Sequence, residues 1–139
     1  MHRLICRLIP LVAVSLIMSG CHSSSDNPVV APPPPTLTDS FTGTLTMNGA
    51  AVYPFNVTGS SQIQAQLTTL SPDSTKPVGL SLGTWNGSIC QIVLDNPNSV
   101  QGSVVPGASS ATGSFCVRIY DAAGTVVNPQ TYTIDVQHQ

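Results

Sequence analysis

From Leu37 onward, apolar residues recur at every second position, and turn-forming residues keep interrupting the runs. A period of two puts alternate side chains on opposite faces of an extended strand, whereas a helix repeats every ~3.6 residues. Phe41, Leu45 and Met47 alternate with Thr42, Thr44 and Thr46. Tyr53, Phe55 and Val57 share a face, and Pro54 among them marks an edge strand because it has no N–H to give a neighbour. Gln62, Gln64 and Gln66 alternate with Ile63, Ala65 and Leu67, and Val78, Leu80 and Leu82 with Gly79, Ser81 and Gly83. Ile89 to Leu94 is apolar on both faces apart from Gln91, the pattern expected of an interior strand. A short strand is expected around Val100 to Val105, and stripes follow at Phe115, Val117, Ile119 and at Tyr132, Ile134, Val136.

The interruptions are Asn48-Gly49, Gly59-Ser60, Ser71-Pro72-Asp73, Asn86-Gly87, Asn96-Pro97-Asn98, Pro106-Gly107 and Ala123-Gly124. About seven or eight short strands at this spacing predict an all-β antiparallel sandwich or jelly roll. No window carries a helical stripe. The charge is sparse: four Lys or Arg against six Asp, with no Glu. That excludes a coiled coil, a basic nucleic-acid binder and an acidic disordered tail.

The first twenty residues have a different character. Arg3 and Arg7 precede an apolar run from Leu8 to Met18 broken only by Pro10 and Ser15, the layout of a secretory signal. The run is too short to span a bilayer, which takes about 20 apolar residues. It ends Leu16-Ile17-Met18-Ser19-Gly20-Cys21, which resembles a bacterial lipobox with Met18 in the usual Leu position. The resemblance implies cleavage before Cys21 and acylation of its thiol and freed amine. Two or more acyl chains give stable anchoring where one is marginal. His22, in place of Asp after the Cys, leans towards the outer membrane. Residues 22–36 are Ser- and Pro-rich, an extended stalk whose fifteen residues reach at most about 45 Å. The expected organisation is a signal over 1–20, a lipidated Cys and linker over 21–36, and a sandwich over 37–139.

Cys90 and Cys116 remain after cleavage and acylation, both in predicted strands and facing an oxidising space. Two Cys with no nearby His make a poor zinc set. A nucleophilic thiolate needs a base, and the His residues on offer are His22 in the stalk and His138 at an expected frayed terminus. A disulfide is the expected state.

The strands also carry a family resemblance. Phe55-Asn56-Val57-Thr58-Gly59, Gln64-Ala65-Gln66-Leu67, Val78 to Trp85, Phe115-Cys116-Val117-Arg118-Ile119-Tyr120-Asp121 and Tyr132-Thr133-Ile134-Asp135-Val136 follow in an order similar to the bacterial pre-peptidase C-terminal domains. The resemblance covers about residues 40–137. It implies a jelly-roll sandwich acting as an accessory module; some such modules bind carbohydrate, collagen or calcium.

Catalytic signatures are sparse. Gly107-Ala108-Ser109-Ser110-Ala111 lacks the last Gly of a nucleophile elbow and reads as a flexible loop. Asp39, Asp73 and Asp95 sit beside turns, where Asp commonly caps its own backbone. Asp95-Asn96-Pro97-Asn98 offers oxygen ligands but reads as a turn, and no metal or cofactor is expected. Arg118 is expected to pair with Asp121 or Asp135 on a sheet face. Trp85, the only Trp, is followed by Asn86-Gly87 and is either a rim aromatic or, with Asn86, a site for a sugar ring or a protein partner. The sequence thus predicts a non-enzymatic envelope lipoprotein with a membrane anchor and no nucleic-acid partner. Its sandwich binds a glycan or a protein, or else serves as a structural or assembly accessory.

Overall fold

Eight strands follow one another with no helix between them in the computed structural model, which describes residues 32–139. The expected signal, Cys21 and most of the expected stalk lie outside the described residues. The strands are β1 (Leu37–Leu45), β2 (Ala50–Val57), β3 (Ser61–Ser71), β4 (Val78–Trp85), β5 (Cys90–Ser99), β6 (Val104–Ser109), β7 (Gly113–Tyr120) and β8 (Gln130–His138). They form two antiparallel four-stranded sheets, ordered β1-β8-β3-β6 and β2-β7-β4-β5. This interleaving of early with late strands is that of an eight-stranded jelly roll.

The period-two stripes supply the core between the sheets. Leu45, Val57, Ala65, Leu67, Leu80, Val117, Ile119, Ile134 and Val136 are almost fully buried there. On the flank formed by β1 and β2, Phe41 stacks on Tyr53, and the Tyr53 and Tyr132 hydroxyls share a 2.8 Å hydrogen bond. Burial first, then that bond, raises the Tyr132 pKa. Pro54 lies on an edge strand, as its missing N–H requires.

The structure corrects several expectations. Ile89–Leu94 is not interior: β5 is an edge strand, and the strand buried on both faces is β4. Its inner row is Val78, Leu80 and Leu82. Its outer row is small because each position is covered. The Tyr120 ring lies against Gly79, where a Cβ would collide with it, and the Gln91 carbonyl of β5 lies against Gly83 in the same way. Between them Ser81 donates to Asp95. Asn96-Pro97-Asn98 does not turn the chain but runs on within β5, and Pro106 to Ser109 is strand β6. The short strand expected around Val100 to Val105 thus starts later, at Val104, and Gly107-Ala108-Ser109 is paired with β3 where a flexible loop was expected. His138 is not frayed: it is 3% exposed, pairs in register with Leu37, and stacks on Phe55.

The two ends of the sandwich differ. The lower end holds the start of β1, the end of β8 and the connections 58–60, 86–89 and 110–112. The upper end holds connections 46–49, 72–77, 100–103 and 121–129. Asp121, 8% exposed, ties two of the upper connections together. It accepts from the N–H groups of Asn48 at 3.0 Å, Thr125 at 3.0 Å and Val126 at 3.1 Å. Asn48 adopts a positive φ of 54°, which Asn tolerates better than most residues. Burial opposes the charged form of Asp121, but the backbone donors outweigh it and hold its pKa below the ordinary value.

Candidate functional site

A disulfide joins Cys90 to Cys116 with the Cα atoms 5.8 Å apart. β4 lies between the two strands that carry them. In a flat sheet, two strand spacings would separate these Cα atoms by about 9.6 Å. The start of β5 therefore leans over the outer face of β4. Gly83 makes this feasible: it pairs directly with Cys116 and has no Cβ to block the Gln91 carbonyl passing above it. The β4–β5 register slips between Leu82 and Gly83, where Leu82 faces Leu94 but Gly83 faces Ile92, leaving Val93 as the extra residue of a bulge.

That distortion turns apolar side chains of β5 into solvent. Val93 is 69% exposed, with Ile92 and Leu94 partly exposed, and Ile89 in the turn before β5 is exposed as well. Beside them, between the β5 and β6 edges, a cleft of about 130 Å³ opens into the sandwich. Ile63, Leu82, Leu94 and Phe115 give it an apolar lining, and Gly107 keeps its β6 wall low. Exposed apolar side chains gathered along one strand edge beside a cleft are a candidate contact surface. The sequence did carry its signal, a strand apolar on both faces, but that signal reads equally as burial.

Trp85 and Asn86 line a second, more polar cleft at the lower end with Pro54, Phe55, Asn56 and Ser114. Trp85 is half-buried on its rim. The Asn86 side-chain oxygen is already engaged, accepting from the N–H of Ser88 at 3.0 Å and of Ile89 at 2.8 Å, which shapes the β4–β5 turn. Next to this cleft His138 Nε2 lies 2.9 Å from Asp39 Oδ2. Neither Asp39 nor Asp95 caps a turn: Asp39 sits in β1 opposite Val136 and reaches the His138 ring with its side chain, and Asp95 sits in β5. Asp73 alone of the three does, accepting from the Thr75 N–H at 3.0 Å.

On the outer face of the second sheet, the Asp95 carboxylate accepts from Ser81 at 2.6 Å and from the Tyr120 hydroxyl at 2.8 Å. Burial first and Asp95 second raise the Tyr120 pKa. Arg118 pairs with neither Asp121 nor Asp135; its guanidinium lies 4.3 Å from the Tyr120 ring centroid, a cation–π contact. Asp121 is taken up by backbone donors, and Asp135 of β8 accepts from Ser40 opposite it on β1, both in the first sheet. The His138–Asp39 pair has no Ser or Cys hydrogen-bonded to it among the described residues, and no group of three His, Cys, Asp or Glu there is placed to hold a metal.

No family model and no curated protein matches this chain. A solved structure is similar: PliG of Aeromonas hydrophila, a periplasmic inhibitor of g-type lysozyme. The TM-score is 0.52 at 14% identity, over 73% of this chain and 86% of that one. The two share a fold. The likeness to pre-peptidase C-terminal domains accordingly rests on the strand pattern alone.

Proposed function

We propose that this chain is a non-catalytic envelope lipoprotein, anchored through Cys21, whose sandwich binds a protein partner along the β5 edge. The observation that carries this reading is the set of exposed apolar side chains Ile92, Val93 and Leu94 on β5 beside an apolar cleft. A protein surface with an inserting apolar anchor matches such an edge better than a hydrophilic glycan does. The similar fold of a protein-directed inhibitor supports a protein ligand, and g-type lysozyme is the first partner to assay. Trp85 and Asn86 are the secondary surface, for which a glycan is the alternative ligand.

A photo-crosslinking residue at Val93 in intact cells should yield a discrete protein adduct that Leu94→Asp abolishes. The same residue placed at Met47, exposed at the opposite end, should yield none. Equal adducts from both positions would overturn the reading. Palmitate labelling of the wild type and of Cys21→Ala tests the anchor separately.

A further inference from the structure

The lower end of the sandwich differs from the upper end in chemistry as well as in position. From Thr84 to Leu94 there is no charged side chain, and the turn of this hairpin projects Ile89 beside the half-buried Trp85. The neighbouring connections, 58–60 and 110–112, contain only Thr, Gly, Ser and Ala. Asp39 and His138 at this end face each other, whereas Asp73, Lys76 and Asp121 lie at the upper end. The stalk joins the folded body at Leu37, itself exposed and at the lower end.

We infer that the lower end seats on the membrane holding the lipid anchor, with the β4–β5 turn, Trp85 to Ile89, entering the headgroup region. The inference rests on the acylation of Cys21 proposed above. Fifteen residues separate the proposed anchor from the body, a reach of about 45 Å when extended as polyproline II, so weak insertion acts at high effective concentration. The stalk attaches beside this turn, so the segment that meets the bilayer first, Thr84 to Leu94, carries no charge to desolvate, and the half-exposed carboxylate at this end, Asp39, is paired with His138. Trp is the side chain that favours this depth, with an apolar ring and a polar N–H. Without basic residues at this end, seating needs no anionic lipid.

Trp85 is the only Trp in the chain and therefore reports on its own surroundings. The lipidated protein is reconstituted into phosphatidylcholine vesicles with or without brominated phosphatidylcholine, and its emission is compared with that of soluble Cys21→Ala. The expected result is a blue shift with loss of emission to the brominated lipid. Ile89→Ser should stay vesicle-bound but lose the quenching, while Val127→Ser, the same change at the upper end, should keep it. Vesicle-bound protein whose emission matches the soluble form and resists bromine overturns the seating and leaves the anchor standing. A blue shift without quenching points to a protein contact and overturns it equally. If mass measurement finds no acyl groups, the anchoring reading falls. The same readout on protein coupled through Cys21 to a maleimide lipid then decides the seating by itself.

Discussion

Replacing Asp121 with Ala removes one side chain and leaves three backbone N–H donors without their acceptor. A hydrogen bond to a charged group contributes about 1.5–3 kcal/mol. The three do not add in full. The N–H groups of Asn48 and Thr125 are only partly buried and regain water once the connections loosen, whereas that of Val126 stays sealed. One bond lost whole and two in part give a cost of about 3 kcal/mol, set against a usual domain stability of about 5–15 kcal/mol. For a body of this size, that lowers the Tm by roughly 12–24 °C. Urea titrations at neutral pH, compared at unchanged m value, measure it. Asp121→Asn adds a second check. Because folding lowers the Asp121 pKa below 3.8, the unfolded chain takes up the proton first on acidification. The stabilisation is complete above that value and is lost as pH falls through the folded-state pKa. The wild type should lose more stability than Asp121→Asn as pH falls from 5 towards 2. Asp73, whose pKa is also lowered, chiefly by the Thr75 side-chain bond, contributes equally to both proteins. A change below about 1 kcal/mol for Asp121→Ala, or parallel acid profiles, would refute the clamp.

Two further outcomes follow from the disulfide. Cys90→Ser with Cys116→Ser opens a loop spanning 26 residues, which the chain-entropy relation puts at about 3.5 kcal/mol; a urea midpoint unchanged from the wild type would contradict it. Gly83→Ala places a methyl group against the Gln91 carbonyl, so β5 must lift away from β4. A thiol titration of this variant should find a reduced population absent from the wild type, and full oxidation with wild-type stability would show that the close approach is not required.

The alternation of Val78, Leu80 and Leu82 with small residues announced a strand, and Pro54 announced an edge, because each is a local statement about one residue's shape. What the alternation did not reveal is why Gly79, Ser81 and Gly83 are small. That answer depends on Tyr120, Asp95 and Gln91 arriving from other strands. β5 was misjudged for a related reason. A run apolar on both faces reads the same whether a protein core or an external partner covers it. Asp121 was legible as a charge near Arg118, yet its acceptors face backbone donors, which no side-chain pattern records. His138 appeared frayed because it lies near the C-terminus, but pairing with Leu37 and the stack on Phe55 bury it.

The strand order also governs how such a chain can reach its native state. β4 and β5 are the only neighbours within a sheet that are also consecutive along the chain, so theirs is the only pairing that a short segment can form unaided. β8 lies between β1 and β3, and the first sheet therefore stays without the strand that joins them until β8 has emerged. Loop closure on that scale delays assembly into the millisecond-to-second regime typical of all-β topologies. A polypeptide made from its N-terminus is thus obliged to wait, with that sheet unassembled, until its eighth strand has been made.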